Sequence, residues 1–373
     1  MNLSYWEADT FVKRFDFAII GSGIVGLNAA LRLREIHPKS RIVVIERGSL
    51  PSGASTKNAG FACFGSISEL EDDLKAWGEP ETLATVDLRW RGLQLLRSIH
   101  PDKSIDYNSV GGKEVFTAAK PKIAESCFDR IDFWNRELKN IVGKDVYSSV
   151  ENTEFSPHQI HPQILYNRYE GVLHPGKLIE SLYGIAIRQD IHFLFGHDVE
   201  EVHRLECKVV LKSKAFDVES SQVLFATNAF TKRLLPEIEV EPARNQVVVT
   251  SEIPGLQLQG AYHLDRGYFY FRNIGNRILL GGGRHLDLEG EATDEFGNTP
   301  IILNRLKQLL DEVIIPKTPY KIEHTWSGIL GVGKQKSTLI KRLDDRTCIG
   351  VRMGGMGVAI GSIVGRELAD LCS

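Results

Sequence analysis

Phe15-Asp16-Phe17-Ala18-Ile19-Ile20-Gly21-Ser22-Gly23-Ile24-Val25-Gly26 is the stretch on which the reading of this chain turns. Phe15 to Ile20 is a short apolar run of the kind buried on both faces in a parallel sheet. After it, Ile24, Leu27, Leu31 and Leu33, with alanines between, mark a helix that ends before Pro38. A second apolar run, Arg41 to Ile45, completes a strand, turn, helix and strand. The turn matches Gly-x-Gly-x-x-Gly in its required context. Gly21 permits the tight bend, Gly23 lets a pyrophosphate approach the backbone, and Gly26 allows the helix to pack on the strand. Ile24 and Val25 open the helix, whose amide donors and positive dipole end favour that pyrophosphate. Glu46 ends the second strand, twenty residues beyond Gly26, where a carboxylate can accept hydrogen bonds from a ribose diol. Arg47 beside it is either a partner for a 2′-phosphate or a surface charge. The pattern predicts a dinucleotide site and leaves FAD and NAD both open.

The chain has 373 residues, enough for two to three domains with a large core. With 42% hydrophobic and 25% charged residues it is neither disordered nor low in complexity. A net charge of −3 argues against nucleic acid as the main partner. The longest apolar runs are a few residues each, far below the roughly 20 a spanning helix needs, so no transmembrane segment is expected. The N-terminus, Met-Asn-Leu-Ser-Tyr-Trp-Glu-Ala-Asp, lacks the basic patch and apolar run of a secretory signal and reads as the mature start. Five scattered cysteines without Cys-x-x-Cys spacing suggest reduced thiols in a cytoplasm, with no disulfide framework and no zinc site. His158 and His161, flanked by Pro157 and Pro162, read as a loop, so no metal is expected.

Further along, residues 68–150 are helical and charged, like an insertion. Gly267 to Arg272 and Arg277 to Leu280 predict an antiparallel hairpin across Ile274-Gly275-Asn276, followed by a helix near 301–313. Thr347 to Val351, Met353-Gly354-Gly355-Met356-Gly357 and an apolar helix to Leu371 repeat strand, turn, helix. The fold class expected is α/β. A doubly wound dinucleotide domain takes residues 1–75, 151–236 and 325–373, and a mostly antiparallel sheet with helices, residues 76–150 and 237–324, forms a substrate domain.

Gly53-Ala54-Ser55-Thr56-Lys57-Asn58-Ala59-Gly60-Phe61 resembles the small-residue loop that follows the ribose-binding carboxylate in the D-amino acid oxidase superfamily of flavoproteins. The resemblance continues through His174-Pro175, Ala226-Thr227-Asn228-Ala229-Phe230, the Tyr268 to Arg284 hairpin, Trp326-Ser327-Gly328 and Met353 to Val358. Ser4-Tyr5-Trp6 is similar to the start of its gamma-glutamylputrescine oxidase branch, and the chain is identified as glycine oxidase-like and gamma-glutamylputrescine oxidase-like. The resemblance implies a Rossmann-like FAD-binding domain, with Ser55, Thr56, Asn58, Ala59, Gly60, Thr227 and Asn228 near the cofactor. Gly354, Gly355, Met356, Gly357 and Val358 would face the N1/C2=O edge of the flavin, where a helix N-terminus stabilises negative charge. Tethering members use a His near the small-residue loop or a Cys near the Trp element; neither is present here, which implies non-covalent FAD.

For the substrate, strand alternation puts Tyr268, Tyr270 and Arg272 on one face. Two phenols and a guanidinium suit a carboxylate, the alternative being a solvated outer face. Arg284 and His285 are second candidates. Where many relatives carry an Arg after Trp-x-Gly, this chain has Ile329-Leu330, and Lys334 and Lys336 are either replacements or solvated. The resemblance implies oxidation of a small amine or amino acid, with hydride passing to flavin N5, hydrolysis of the imine, and O₂ or a quinone as electron acceptor. The alternatives are a 2-hydroxy acid dehydrogenase with His285 or His324 as base, and a flavoprotein whose FAD is structural.

Overall fold

The computed structural model describes residues 3–372. Two eight-stranded sheets organise it. The main path of the first runs Leu339–Asp344, Thr347–Val351, Val218–Phe225, Phe15–Ile20, Ile42–Glu46, His192–Phe195. From Thr347–Val351 to His192–Phe195 every pair is parallel. Every residue of Ile42–Glu46 is buried: Val44 packs with Leu27 and Leu31 of the following helix on one face, and Val43 and Ile45 pack with Val199, Val209 and Leu211 on the other. Helices Ile24–Ile36 and Gly357–Asp370 pack closely on one another. A Cβ at Gly365 would lie 2.4 Å from the Val25 carbonyl oxygen, so only glycine allows this approach.

The second sheet runs Ile322–Val332, Glu241–Thr250, Arg277–Gly282, Phe269–Ile274, Ala261–Leu264, Gly112–Val115, Gln163–Asn167, Tyr147–Glu151. All its pairs are antiparallel except Ala261–Leu264 with Gly112–Val115. One face buries Tyr262, Phe269, Phe271 and Ile278 against Ile302 and Leu306 of helix Pro300–Leu309. The other carries Val247, Val249, Leu279, Tyr270 and Trp326 and meets Ala59 and Phe61 from the first domain.

The sequence-based boundaries shift in three places. Residues 325–332, expected in the dinucleotide domain, pair along Glu241–Thr250 as part of the substrate sheet. Residues 163–167 join that sheet too. Helix Glu79–Ile99, expected in the substrate domain, packs on the last helix, its Gly92 so close that a Cβ would lie 2.1 Å from the Ala359 oxygen. Burial, rather than the charge content of the segment, sorts these elements.

The registers of the substrate sheet align one residue from each of six strands. Trp326 opposes Val247, Val247 opposes Gly281, Gly281 opposes Tyr270, Tyr270 opposes His263, and His263 opposes Glu114. Directly opposed residues share a face, so this row crosses the side turned toward the first domain. The cysteines are free, and the Cys372 thiol donates to Cys348 Sγ at 2.9 Å. Among the described residues no helix is long and apolar enough to cross a membrane.

Candidate active site and cofactor cleft

A cleft with about 1260 Å³ of unfilled space, continuous with solvent, opens at the carboxyl ends of the parallel strands, where open α/β sheets hold their ligands. Its floor is the first turn. Gly21 has φ 109°, and a Cβ there would lie 2.7 Å from the Ala226 oxygen. A Cβ at Gly26 would come within 1.9 Å of the Gly21 oxygen, so Gly26 sits in helix packing rather than on the cleft wall. Gly23, Ile24 and Val25 line the cleft. The Ile24 amide donates to Ser55 Oγ at 3.0 Å, so a hydroxyl covers the helix N-terminus that an anion favours.

Glu46 is buried and accepts four hydrogen bonds. The Ser22 amide (3.3 Å) and hydroxyl (2.6 Å) reach one oxygen, and the Gly48 amide and Ser52 hydroxyl (both 3.1 Å) the other. Two of these donors are hydroxyls, the same chemistry as a ribose diol. Arg47 lines the same end with its guanidinium 3.7 Å from the Phe230 ring centroid, and burial lowers its pKa. Sequence reasoning missed the next wall, His197, Asp198 and Val199. The signal was available: these residues leave the strand beside Glu46, and the His197 amide donates to the Glu46 carbonyl at 3.0 Å.

At the far end Thr227, Asn228, Gly355, Gly357 and Val358 line the cleft with Ile329, Leu330 and Met353. Asn228 Oδ1 accepts the amides of Arg352 and Met353 at 3.1 and 3.3 Å, fixing the glycine-rich turn. Gly354 and Gly355 have φ of 56° and 88°, and a Cβ on either would meet nothing closer than 3.9 Å. Left-handed glycines beside open space leave room for a ligand against the backbone. Loop residue Asn58 lines the cleft and holds its own turn, donating to the Ala54 and Ser55 carbonyls and accepting from the Gly60 amide. Thr56, Ala59, Gly60, Gly354 and Met356 lie off the wall. Thr56 bonds the Pro51 carbonyl, Ala59 packs on Val247, and Gly60 is wedged against Leu173. An elongated cleft with a diol acceptor at one end, a helix N-terminus in the middle and a second helix N-terminus at the other fits FAD.

The substrate-face candidates separate into two groups. Tyr270 sits in the row described above, and its hydroxyl accepts from Asn245 Nδ2 at 3.0 Å. Arg272, on the same face, donates from Nη1 to the carbonyls of Ala59, Gly60 and Leu173 at 3.3, 3.2 and 2.9 Å. No carboxylate pairs with it among the described residues, and burial lowers its pKa to about 10. Tyr268 is not with them. The Tyr268 amide donates to the Asp265 carbonyl at 3.1 Å, closing the turn that precedes the strand at Phe269, so Tyr268 stands half-exposed with its ring 4.2 Å from that of His285. His285 also meets Phe269 on the helix-covered side, and Arg284 shares its short 3₁₀ turn. Neither reaches the row. His324 is exposed on the edge strand, three strand spacings or about 14 Å from Arg272. Lys336 donates to Asp73 at 2.6 Å and Glu69 at 3.4 Å, whereas Lys334 is exposed.

His263 was not anticipated. It lies next to Tyr270 in the row, with Phe61 edge-on to both rings at 5.4 and 5.5 Å. Its sequence signal was a polar residue between Tyr262 and Leu264, but only the register shows that it faces the first domain. The Trp326 indole donates to the Lys57 carbonyl at 2.9 Å, pinning the 57–61 loop over the same row.

A family model described as FAD dependent oxidoreductase matches residues 16–371. The chain is 22% identical over 377 residues to the gamma-glutamylputrescine oxidoreductase of Escherichia coli K12, covering 95% of this chain and 83% of that protein. It is 20% identical over 230 residues to the L-2-hydroxyglutarate dehydrogenase of Salmonella houtenae, covering 61% of this chain and 51% of that one. The crystal structure of glycine oxidase from Geobacillus kaustophilus superposes with a TM-score of 0.74 at 16% identity, covering 96% of this chain and 94% of the other. With a match across nearly its whole length, the chain belongs to the D-amino acid oxidase family of FAD-dependent oxidoreductases.

Proposed function

We propose that the protein oxidises a small amine or amino acid at the carbon bearing nitrogen, releasing an imine that water hydrolyses. The carrying observation is Arg272, a partly buried guanidinium without a carboxylate partner among the described residues, held beside Tyr270 on the sheet face that meets Ala59 and Phe61 of the small-residue loop. FAD, held without a covalent bond, supplies the hydride acceptor. Arg272 binds the substrate carboxylate or another anionic group, with Tyr270 as a hydrogen-bonding neighbour. Trp326 and Phe61 are the apolar walls that exclude water from the reacting carbon. Such a reaction needs orientation more than strong acid or base groups. The protein works in the cytoplasm, passing electrons to O₂ or a quinone.

The test is to purify the FAD-loaded protein, remove air and add amines, amino acids and 2-hydroxy acids in turn while following the visible flavin band. Bleaching by an amine or amino acid is expected. The second reading, a 2-hydroxy acid dehydrogenase, draws on the similarity to L-2-hydroxyglutarate dehydrogenase and on an imidazole, His263, within the row. Bleaching by hydroxy acids alone selects it. No bleaching by any of the panel, with FAD retained, selects a structural role for the flavin.

A further inference from the structure

Behind the row lies a small polar chamber between the two domains, lined by Ser66, Glu114, Asn167, Glu170 and His263, with free space of about 10 Å³, the room of one water molecule. Its walls are unusual in carrying donors and acceptors with nothing to bind. Ser66 Oγ, Asn167 Nδ2 and His263 Nε2 are all buried without a hydrogen-bond partner among the described residues. Glu170 is anchored, since one of its oxygens accepts the Phe64 and Gly65 amides at 2.9 and 3.1 Å. Its other oxygen stands 3.6 Å from His263 Nε2, an ion-pair distance too long for a direct hydrogen bond. Glu114 is held by the Ser68 hydroxyl and amide.

We propose that His263 accepts the proton that the substrate ammonium must lose before its carbon can give up hydride, and that the chamber carries this proton away. The proposal rests on the amine-oxidation reading above. A molecule resting on Tyr270 lies one strand spacing, about 5 Å, from His263, with the Phe61 ring as the group it must turn aside. The step is balanced: one N–H bond of the ammonium breaks, leaving the lone pair on nitrogen, and one N–H bond forms on the imidazole. Glu170, facing Nε2, sets the neutral tautomer with its proton on Nε2 and the lone pair on Nδ1. As Nδ1 takes the substrate proton, Nε2 releases its own to a water held by Ser66 and Asn167, and that water passes a proton on to the Glu114 carboxylate, leaving the imidazole neutral.

The charges around His263 favour this. Burial pulls its pKa down, but Glu170, Glu69 and Glu114 outweigh burial and raise it, toward the working range of a general base. Glu69 is itself neutralised. Burial opposes its charge, yet Arg89 and Lys336 hold it to about 2. Burial raises Glu114 to about 7, so it can take up a proton near neutrality. Cys63 and Tyr147 near the same carboxylates, and Tyr270 opposite His263, are all pushed up by burial and stay neutral.

The decisive experiment follows anaerobic flavin reduction by an amine across pH 5 to 10 in FAD-loaded wild type, His263→Asn and Glu170→Gln, together with the ¹⁵N-histidine NMR titration of His263. Wild type should show an ionisation above the ordinary imidazole value. In H263N the rate at pH 7 should fall about a hundredfold, that ionisation should vanish, and added imidazole should restore part of the rate. In E170Q both the kinetic and the NMR pKa of His263 should drop together. An unchanged rate and pH profile in folded, yellow H263N overturns the proposal, as does an E170Q variant with both pKa values unmoved. Failure of every amine to bleach wild-type flavin sinks the amine reading instead, which keeps the two outcomes apart.

Discussion

The turn at Gly21–Gly26 is built from six consecutive residues, whereas the row Glu114, His263, Tyr270, Gly281, Val247, Trp326 takes one residue from each of six strands. The first is local in the chain, and at Gly21 and Gly26 it tolerates no added atom, because backbone lies on backbone there. The second is non-local and depends on register, so its members can change singly without unmaking the sheet. Damage to the turn should therefore remove the cofactor, and at its backbone-packed glycines the fold as well. Damage to the row should leave the cofactor and change what is done with it.

The sharpest attack on this contrast is Gly26→Val. Its Cβ would fall 1.9 Å from the Gly21 oxygen, and overpacking against backbone should cost about 3 kcal/mol or more. Thermal unfolding should show a strongly lowered Tm or no folded protein. Gly23→Val comes next. Its added carbons meet Ser55 Oγ, 2.6 Å from the Cβ position, and block the pyrophosphate approach. The protein should fold and be colourless, and a flavin titration should find binding weakened at least a hundredfold; retention of the yellow colour would remove the turn from the cofactor site.

On the row side, Arg272→Met should keep the colour and raise the Kd of a carboxylate-bearing substrate roughly tenfold to a hundredfold, the worth of one charged hydrogen-bonded contact. Full affinity would place the carboxylate elsewhere. The smallest effect belongs to Glu114. Its folded-state pKa is raised by burial from the ordinary 4.5 to about 7. The stability it contributes is therefore complete below pH 4.5 and is lost progressively as pH rises through 7. Glu114→Gln should flatten that decline in Tm between pH 4.5 and 8; an identical slope in the variant would show that Glu114 is not the titrating group.

The same contrast explains what could be read in advance. The strand, turn, helix and strand around Gly21, the carboxylate at Glu46 and the glycine-rich turn before Val358 are written in adjacent residues, and the structure brings them to one cleft. Alternation put Tyr270 and Arg272 on one face, but it misassigned Tyr268, because a turn hydrogen bond to Asp265 holds that residue ahead of the strand, which starts at Phe269. His263 and Glu114 were invisible for a related reason. They become neighbours through a parallel pairing between strands about 150 residues apart, and no local pattern encodes such a pairing. The boundary at 325 failed because Trp326-Ser327-Gly328 lies beside the flavin loop while its backbone belongs to the other sheet.

Asn228 binds the amides of Arg352 and Met353, and this has a bearing on how the protein matures. Its side chain finds those partners only after the C-terminal strand has taken its place in the sheet. Until residues 347–358 have been made and placed, the chain has the first glycine turn but lacks the far wall of the cleft, so a complete cofactor grip requires that segment.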